Sequence, residues 1–118
     1  MDTDDKAIRQ TVRAYVEGMI LANEALLREA FHPLCNIIGH YEGALEWLSL
    51  DEFIEAINAE GAQDALPSWK IRTLNISGDA AAVKVTDKYA GMKFTDYLAL
   101  LKLQDGWRIV NKVYYLQH

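Results

Sequence analysis

The stretch Phe94–Tyr115, F-T-D-Y-L-A-L-L-K-L-Q-D-G-W-R-I-V-N-K-V-Y-Y, decides the fold of this 118-residue chain. Leucine, aromatic and β-branched side chains fill both sides of Asp105-Gly106, a dipeptide that strongly favours a tight hairpin turn. The pattern therefore predicts one long β-hairpin. Because a hairpin is not stable alone, it needs further strands beside it and an apolar layer across one face.

The first half of the chain predicts that layer as three helices. Asn23 is placed to cap a short second helix that His32-Pro33 ends, and Ser49–Glu52 has the pattern of a capping box for a third helix ending near Gly61. The first helix carries one apolar stripe at helical spacing, formed by Ile8, Val12, Tyr15, Val16, Met19 and Ile20.

Strands make up the rest of the prediction. A short strand at residues 36–41 is followed by a returning segment at 44–48, and the second half alternates strand patterns with short turns. The later strands are predicted at Trp69–Ser77, Ala80–Tyr89, Phe94–Leu103 and Trp107–Leu116. Short turns between consecutive strands indicate an antiparallel sheet, and helices followed by strands indicate the α+β class. We expect residues 1–118 to form a single domain.

Composition narrows the function. A 51% apolar and 25% charged chain is ordinary for a globular protein, and a net charge of −5 disfavours nucleic-acid binding, which needs a basic surface. No run approaches the roughly 18 apolar residues that span a membrane. We therefore expect a cytoplasmic protein without nucleic-acid or membrane partners. The single cysteine, Cys35, is expected to pack as a small apolar group.

The predicted sheet is apolar on both faces. Leu98 and Leu100 alternate with Ala99, Leu101 and Leu103, so both faces need a cover. Three helices can cover one face. We expect a second subunit to cover the other, which predicts a homodimer through the sheet.

Motifs along the whole chain resemble the nuclear transport factor 2-like superfamily, which includes polyketide cyclase-like and ketosteroid isomerase-like proteins. They are Phe31-His32-Pro33, Gly39, Leu48–Phe53, Ser77–Ala81, Phe94–Leu98 and Gly106–Lys112. The last two are most similar to small proteins labelled "putative lumazine-binding". The resemblance implies a cone-shaped, mostly antiparallel six-stranded sheet wrapped around three N-terminal helices, the cystatin-like arrangement. It also implies a pocket at the open end and dimers through the convex face.

Asp87 and Asp96 are the sharpest catalytic candidates. If Gly91-Met92 forms a two-residue turn, both carboxylates face the core together, where one pKa rises and a general base becomes available. A three-residue loop at 90–92 would instead turn Asp96 outward and Tyr97 inward. A structural ion pair at Asp87 is the competing interpretation.

His40 is the other catalytic candidate, as an acid–base group near the cavity. A partly buried histidine with a structural hydrogen bond is the alternative, because either face of its strand could be the inner one. His32, His40 and His118 share no helical or strand spacing, and the dinucleotide and phosphate motifs are absent. We therefore expect no metal and no cofactor.

Aromatic and apolar residues are plentiful enough to line a pocket for a small apolar, aromatic or heterocyclic ligand. The candidate ligand-binding residues are Tyr15, Met19, Phe31, Phe53, Trp69, Tyr89, Tyr97 and Asn111. Three functions stay open: a binding protein without chemistry, a cofactor-independent isomerase, dehydratase or cyclase using an aspartate base, and a dimeric accessory module. Binding requires a cavity of about 300 Å³ or more.

Overall fold

Three helices and six strands are seen in the computed structural model, which describes residues 2–117. The helices are α1 (Asp2–Ile20), α2 (Glu24–Ala30) and α3 (Leu50–Glu60). The strands are β1 (Phe31–Tyr41), β2 (Ala44–Ser49), β3 (Trp69–Ser77), β4 (Ala80–Tyr89), β5 (Met92–Leu103) and β6 (Gly106–Leu116). The predicted α+β class and six-stranded sheet are confirmed.

One sheet holds all six strands in the order β2-β1-β6-β5-β4-β3. Neighbouring strands are antiparallel except for β1 and β6, which are parallel. The parallel pair arises because the chain passes through β2, α3 and the β3–β5 meander before β6 returns beside β1. This places the predicted C-terminal hairpin in the middle of the sheet.

The apolar stripe of α1 packs against the inner face of the sheet, as predicted. All six stripe residues are at most 3% exposed. They meet inward-facing side chains of the central strands, among them Val83 and Val85 of β4 and Leu98 and Leu100 of β5. Burying this much apolar surface on both partners is what stabilises the hairpin that could not stand alone.

Local signals at the helix ends behave as the sequence predicts. The Asn23 side chain accepts a hydrogen bond from the Leu26 N–H, and Ser49 and Glu52 form the reciprocal capping box. His32-Pro33 is different: α2 ends earlier, at Ala30, and these two residues already belong to β1. Proline is tolerated there because the strand register is irregular between Phe31 and Asn36.

The turn between β4 and β5 settles the facing of Asp96. The two turn residues are Ala90 and Gly91, with φ of 53° and 78°, the left-handed pair that a tight two-residue hairpin requires. The turn is thus one residue earlier than the predicted Gly91-Met92, and the alternative loop at 90–92 is wrong. Asp87 pairs with Phe94 and Asp96 with Val85. The pairing moves by two residues, so Asp96 still faces inward.

A β-bulge in β6 changes which side chains face the helices. Leu100 pairs with Ile109 whereas Ala99 pairs with Asn111, so Val110 is the extra residue. One extra residue reverses the alternation of faces. Ile109 and Lys112 therefore both lie on the inner face, and both are buried.

Within residues 2–117, none of the three helices combines the length and the hydropathy of a membrane-spanning helix.

Candidate functional site

A cavity lies between α3 and the inner face of the sheet. Its volume is about 190 Å³, and its lining is largely apolar and aromatic, with Met19, Tyr41, Phe53, Tyr89, Phe94 and Tyr114 among its walls. Three carboxyl groups and one amino group also reach it: those of Glu46, Glu60, Asp87 and Lys112. The cavity does not reach the volume of about 300 Å³ that the sequence-based expectation required, which is the lower limit for a drug-sized ligand. Its size suits a ligand of about one ring system.

Asp87 and Asp96 are buried beside each other on the inner face. Asp87 is 3% exposed and lines the cavity, and Asp96 is 0% exposed behind it. They lie on adjacent strands and are diagonal neighbours, because Asp87 pairs with Phe94 and Asp96 pairs with Val85. The structural ion pair considered for Asp87 is not found among residues 2–117.

Hydrogen bonds distinguish the two carboxyl groups. The Tyr15 hydroxyl donates to Asp96 Oδ2 at 2.6 Å. Both oxygens of Asp87 and the Oδ1 of Asp96 have no hydrogen-bond partner in the described part of the chain. Two ionised carboxylates offer only acceptors, so a proton held between the two groups would partner one oxygen of each and leave one Asp87 oxygen without a partner.

The pKa of Asp87 is raised well above its ordinary value. Burial is the main cause, the Asp96 carboxylate adds to it, and the positive charge of Lys112 acts in the opposite direction. The pKa of Tyr15 is also raised, first by burial and then by the two aspartates. Asp87 is thus a carboxyl group that stays protonated at a pH where an exposed aspartate is ionised.

Lys112 is the cationic member of the site. It is 5% exposed, and its Nζ lies 4.7 Å from the ring centroids of both Tyr15 and Phe53 and 5.5 Å from that of Tyr114. The negative faces of three rings stabilise a cation at this place. The side chain forms no hydrogen bond or ion pair with any residue from 2 to 117.

Gly39 gives the Tyr114 ring its place in the wall. The two residues are paired on β1 and β6, and a Cβ on residue 39 would lie 2.7 Å from the ring. Tyr114 donates a hydrogen bond from its hydroxyl to Glu46 Oε1 at 2.6 Å and packs edge-on against Phe94. Burial, followed by the hydrogen bond to Glu46, raises the pKa of Tyr114.

Several predicted residues meet at this site. Met19, Phe53, Asp87 and Tyr89 line the cavity. Tyr15 and Phe31 are fully buried behind it, where Phe31 packs edge-on against both Tyr15 and Phe53. Trp69 faces inward opposite Asp87 but borders neighbouring surface grooves rather than this cavity.

Three predicted residues lie away from the cavity. His40 is exposed and pairs with Leu45 and Tyr115, both on the outer face. Tyr97 is 51% exposed and pairs with Lys84 and Val113, because inward-facing Asp96 forces its neighbour outward. Asn111 is outward because of the bulge at Val110. These three residues were expected at an internal site, but the structure places them on the outer face of the sheet.

Several lining residues are not among the predicted site residues, Lys112 and Tyr114 being the two that matter most for the chemistry. The sequence leaves Lys112 open, with Tyr97 and Asn111, as a residue that orients a polar ligand group or holds the dimer, because nothing in the sequence marks Val110 as the bulge that turns Lys112 inward. One sequence signal could have pointed to a side chain such as Tyr114 at this place. It is Gly39, because a glycine within a strand often marks a position that another group approaches closely. Cys35 behaves as expected: it is buried, and burial raises its thiol pKa to about 11.

Among residues 2–117 no three metal-ligating side chains come together. His118 lies outside the described residues.

Comparison with known proteins agrees with this architecture. The family described as "Putative lumazine-binding" matches residues 3–115. The crystal structure of a protein of unknown function from Silicibacter pomeroyi, described as nuclear transport factor 2-like, is 34% identical with a TM-score of 0.94, and 98% of each chain is covered. A "putative ketosteroid isomerase" from Shewanella frigidimarina shares the fold at 22% identity and a TM-score of 0.71, with 94% of this chain and 96% of that one covered.

A curated relative is the aldolase FrzH of Cladobotryum sp. It is 23% identical over 111 residues, which cover 92% of this chain and 88% of the relative. The fold, the family match and the similarity to solved structures all point to the same family. This chain belongs to the putative lumazine-binding family of the nuclear transport factor 2-like superfamily.

Proposed function

We propose that this protein binds a small, largely apolar or aromatic carbonyl compound in the α3 cavity and exchanges a proton with it through Asp87. One observation carries the proposal: a cavity-lining carboxyl group is 3% exposed, and neither of its oxygens accepts a hydrogen bond from an N–H or hydroxyl group of residues 2–117. A proton shared with Asp96 partners only one of the two oxygens and leaves the other without a partner. An orphaned buried carboxyl group is costly, and a ligand that supplies the missing partner offsets that cost.

The aspartate pair can serve as both acid and base. In the ligand-free protein the shared proton rests mainly on Asp87. When it moves to Asp96, the Asp87 carboxylate can take a proton from a carbon next to the ligand carbonyl, and the C–H bonding electrons move to the oxygen to form an enolate. When Asp87 holds the proton, it can donate it to the ligand. Returning the proton to a different atom is the chemistry of a cofactor-independent isomerase, dehydratase or cyclase.

Known relatives support this reading of the site. One shares the fold and carries the description "putative ketosteroid isomerase", and another is described as an aldolase. Both descriptions concern chemistry beside a carbonyl group, and each describes the relative rather than this chain. The aromatic walls and the family description also favour a planar ligand.

Hydrogen–deuterium exchange tests the proposal. Acetophenone and similar aryl ketones are incubated with the protein in D₂O, and loss of the methyl proton signal is followed by NMR. We expect the protein to accelerate exchange and Asp87→Asn to slow it by about 100-fold or more, the usual contribution of a general base. Asp64→Asn, an exposed aspartate outside the site, is the matched control and retains the rate.

Two outcomes separate the candidate functions. Saturable binding without exchange would identify the second candidate function, a binding protein without chemistry. The largely apolar lining of the cavity favours that function. If no ketone of this size binds at all, the cavity has no such ligand and both candidates fail.

We also propose that the outer face of the sheet joins two copies of this chain. Trp47, Ile38, Val113 and Tyr97 are paired across β2, β1, β6 and β5 and form one row. Three of them are more than 40% exposed, at 63%, 42% and 51% for Trp47, Val113 and Tyr97. A continuous exposed apolar row on a sheet is typical of a subunit interface.

Light scattering tests the interface. We expect a dimer for the wild-type chain and a monomer for Val113→Lys, which places a charge at the centre of the row. Glu29→Lys, on the exposed side of α2, is the control and stays dimeric. A wild-type chain that is monomeric at high concentration would contradict the interface.

A cytoplasmic location stays a prediction from composition.

A further inference from the structure

Lys112 brings to the cavity a buried amino group that has no acceptor among the described residues. Its side chain is 5% exposed and lines the cavity beside Asp87. A buried ammonium group ordinarily has a carboxylate or several hydrogen-bond acceptors as partners. Within residues 2–117, Lys112 has neither, and its contacts are the rings of Tyr15, Phe53 and Tyr114.

Rings stabilise the charge but leave the ammonium donors unused. A ring attracts the cation through its face and satisfies none of the three N–H groups as a directed acceptor would. Lys112 and Asp87 are close enough for the lysine to affect the aspartate electrostatically, yet they form no ion pair among the described residues. The ammonium donors and the unpartnered carboxyl group therefore border the same small space.

We propose that Lys112 binds the oxygen of the ligand and stabilises negative charge on it. The inference rests on the proposed function and names the ligand class: a ring compound bearing an enolisable ketone or an acidic hydroxyl, whose oxygen becomes an enolate or phenolate. The proton removed from the ligand goes to the aspartate pair, and the resulting charge on oxygen lies against the ammonium group. Preorganised charge at this place favours the ionised ligand over the neutral one.

A spectroscopic probe tests the assignment directly. 4-Nitrophenol fits a one-ring cavity, and its phenolate is yellow, so absorbance of the bound probe reports its ionisation as pH is varied. We expect the bound probe to ionise at a pH lower by about one unit in the wild type than in Lys112→Met, a tenfold change in its ionisation constant. Thermal unfolding verifies that the variant is folded.

Lys84 provides the matched control. Its Nζ lies 5.7 Å from the centroid of the Tyr97 ring, so it also has an aromatic contact, but on the outer face. Lys84→Met is expected to leave the ionisation of the bound probe unchanged. Lys112→Gln, which keeps a polar side chain without the charge, should behave like Lys112→Met.

The outcomes distinguish this inference from the proposal beneath it. If nitrophenol binds the wild type but ionises equally in Lys112→Met, Lys112 does not hold the oxygen and the inference is overturned, while the cavity remains a binding site. If neither nitrophenol nor the aryl ketones bind the wild type, the proposed function fails and this inference fails with it.

Discussion

The inner and outer faces of the sheet hold the same kinds of side chain under different physical conditions. On the inner face Lys112 is 5% exposed and lies among three rings, whereas on the outer face Lys84 lies over the single ring of Tyr97. Inner Asp87 is buried with a raised pKa, while outer His40 is exposed. Water satisfies the outer groups. The inner groups depend on one another and on whatever enters the cavity, which is why the inner face is the candidate site.

Removing an aromatic ring from each face should give the largest contrast. Phe31→Ala deletes a fully buried ring that supports both Tyr15 and Phe53, so we expect a loss of about 4 kcal/mol in the free energy of unfolding. Tyr97→Ala, on the outer face, should lose less than about 1 kcal/mol in the dilute protein. Urea denaturation measures both. Equal losses would mean that the two faces are equally packed, contrary to the structure.

Asp87→Asn should stabilise the protein increasingly as pH rises. Unfolded Asp87 releases its proton near its ordinary value of 3.8, while the folded group keeps it, so the folded state binds more protons above pH 4. The unfolding free energy of the wild type therefore falls with rising pH, by at most about 1.4 kcal/mol per unit from this group. Burial is the main cause of the raised Asp87 pKa, the neighbouring Asp96 adds to it, and Lys112 acts against it.

The measurement is the difference in unfolding free energy between Asp87→Asn and the wild type at pH 4 and at pH 7. We expect little pH-dependent gain at pH 4 and a gain of up to about 4 kcal/mol at pH 7. Asp64→Asn is the exposed counterpart and should show no such trend. A difference that is constant with pH would mean that Asp87 titrates like an exposed aspartate.

Tyr15→Phe sharpens the comparison by removing one hydroxyl group. Its loss leaves the buried Asp96 without the 2.6 Å hydrogen bond, which should cost about 2 kcal/mol. Tyr97→Phe removes a hydroxyl from a half-exposed ring on the outer face and should change stability by less than about 0.5 kcal/mol. Thermal and urea unfolding report both values. A neutral Tyr15→Phe would show that Asp96 does not need this donor.

Lys84→Met gives the smallest expected effect. A half-buried cation over one ring on the outer face contributes about 0.5–1 kcal/mol, and the methionine side chain retains most of the apolar contact. We expect a change of no more than about 0.5 kcal/mol in unfolding free energy, measured by urea denaturation. A loss above about 2 kcal/mol would show that the outer face also depends on its charges.

The sequence predicts the fold well because the signals for it are local. The stripe from Ile8 to Ile20, the capping box at Ser49–Glu52 and the Asp105-Gly106 turn each act within a few residues. Alternation along β4 places Asp87 on the core side, and any two-residue turn places Asp96 there as well. The aspartate pair could thus be proposed from the sequence alone.

The parts of the site that the sequence did not predict depend on strand register and on contacts between distant parts of the chain. A single bulge at Val110 exchanges Asn111 for Lys112 on the inner face, and bulges have no reliable local signal. The face on which His40 lies is fixed by the pairing of β1 with β2 and β6, and no short-range sequence pattern determines that pairing. These are the positions where the predicted and observed sites differ.

The ionisation of Asp87 tests the central claim most directly. A ¹³C NMR titration of the aspartate side-chain carboxyl carbons of the ligand-free protein, with Asp87→Asn to assign the signal, reports its protonation at each pH. We expect the Asp87 carboxyl group to remain protonated through neutral pH, at which an ordinary exposed aspartate is ionised. An Asp87 signal that titrates together with the exposed aspartates would contradict the account.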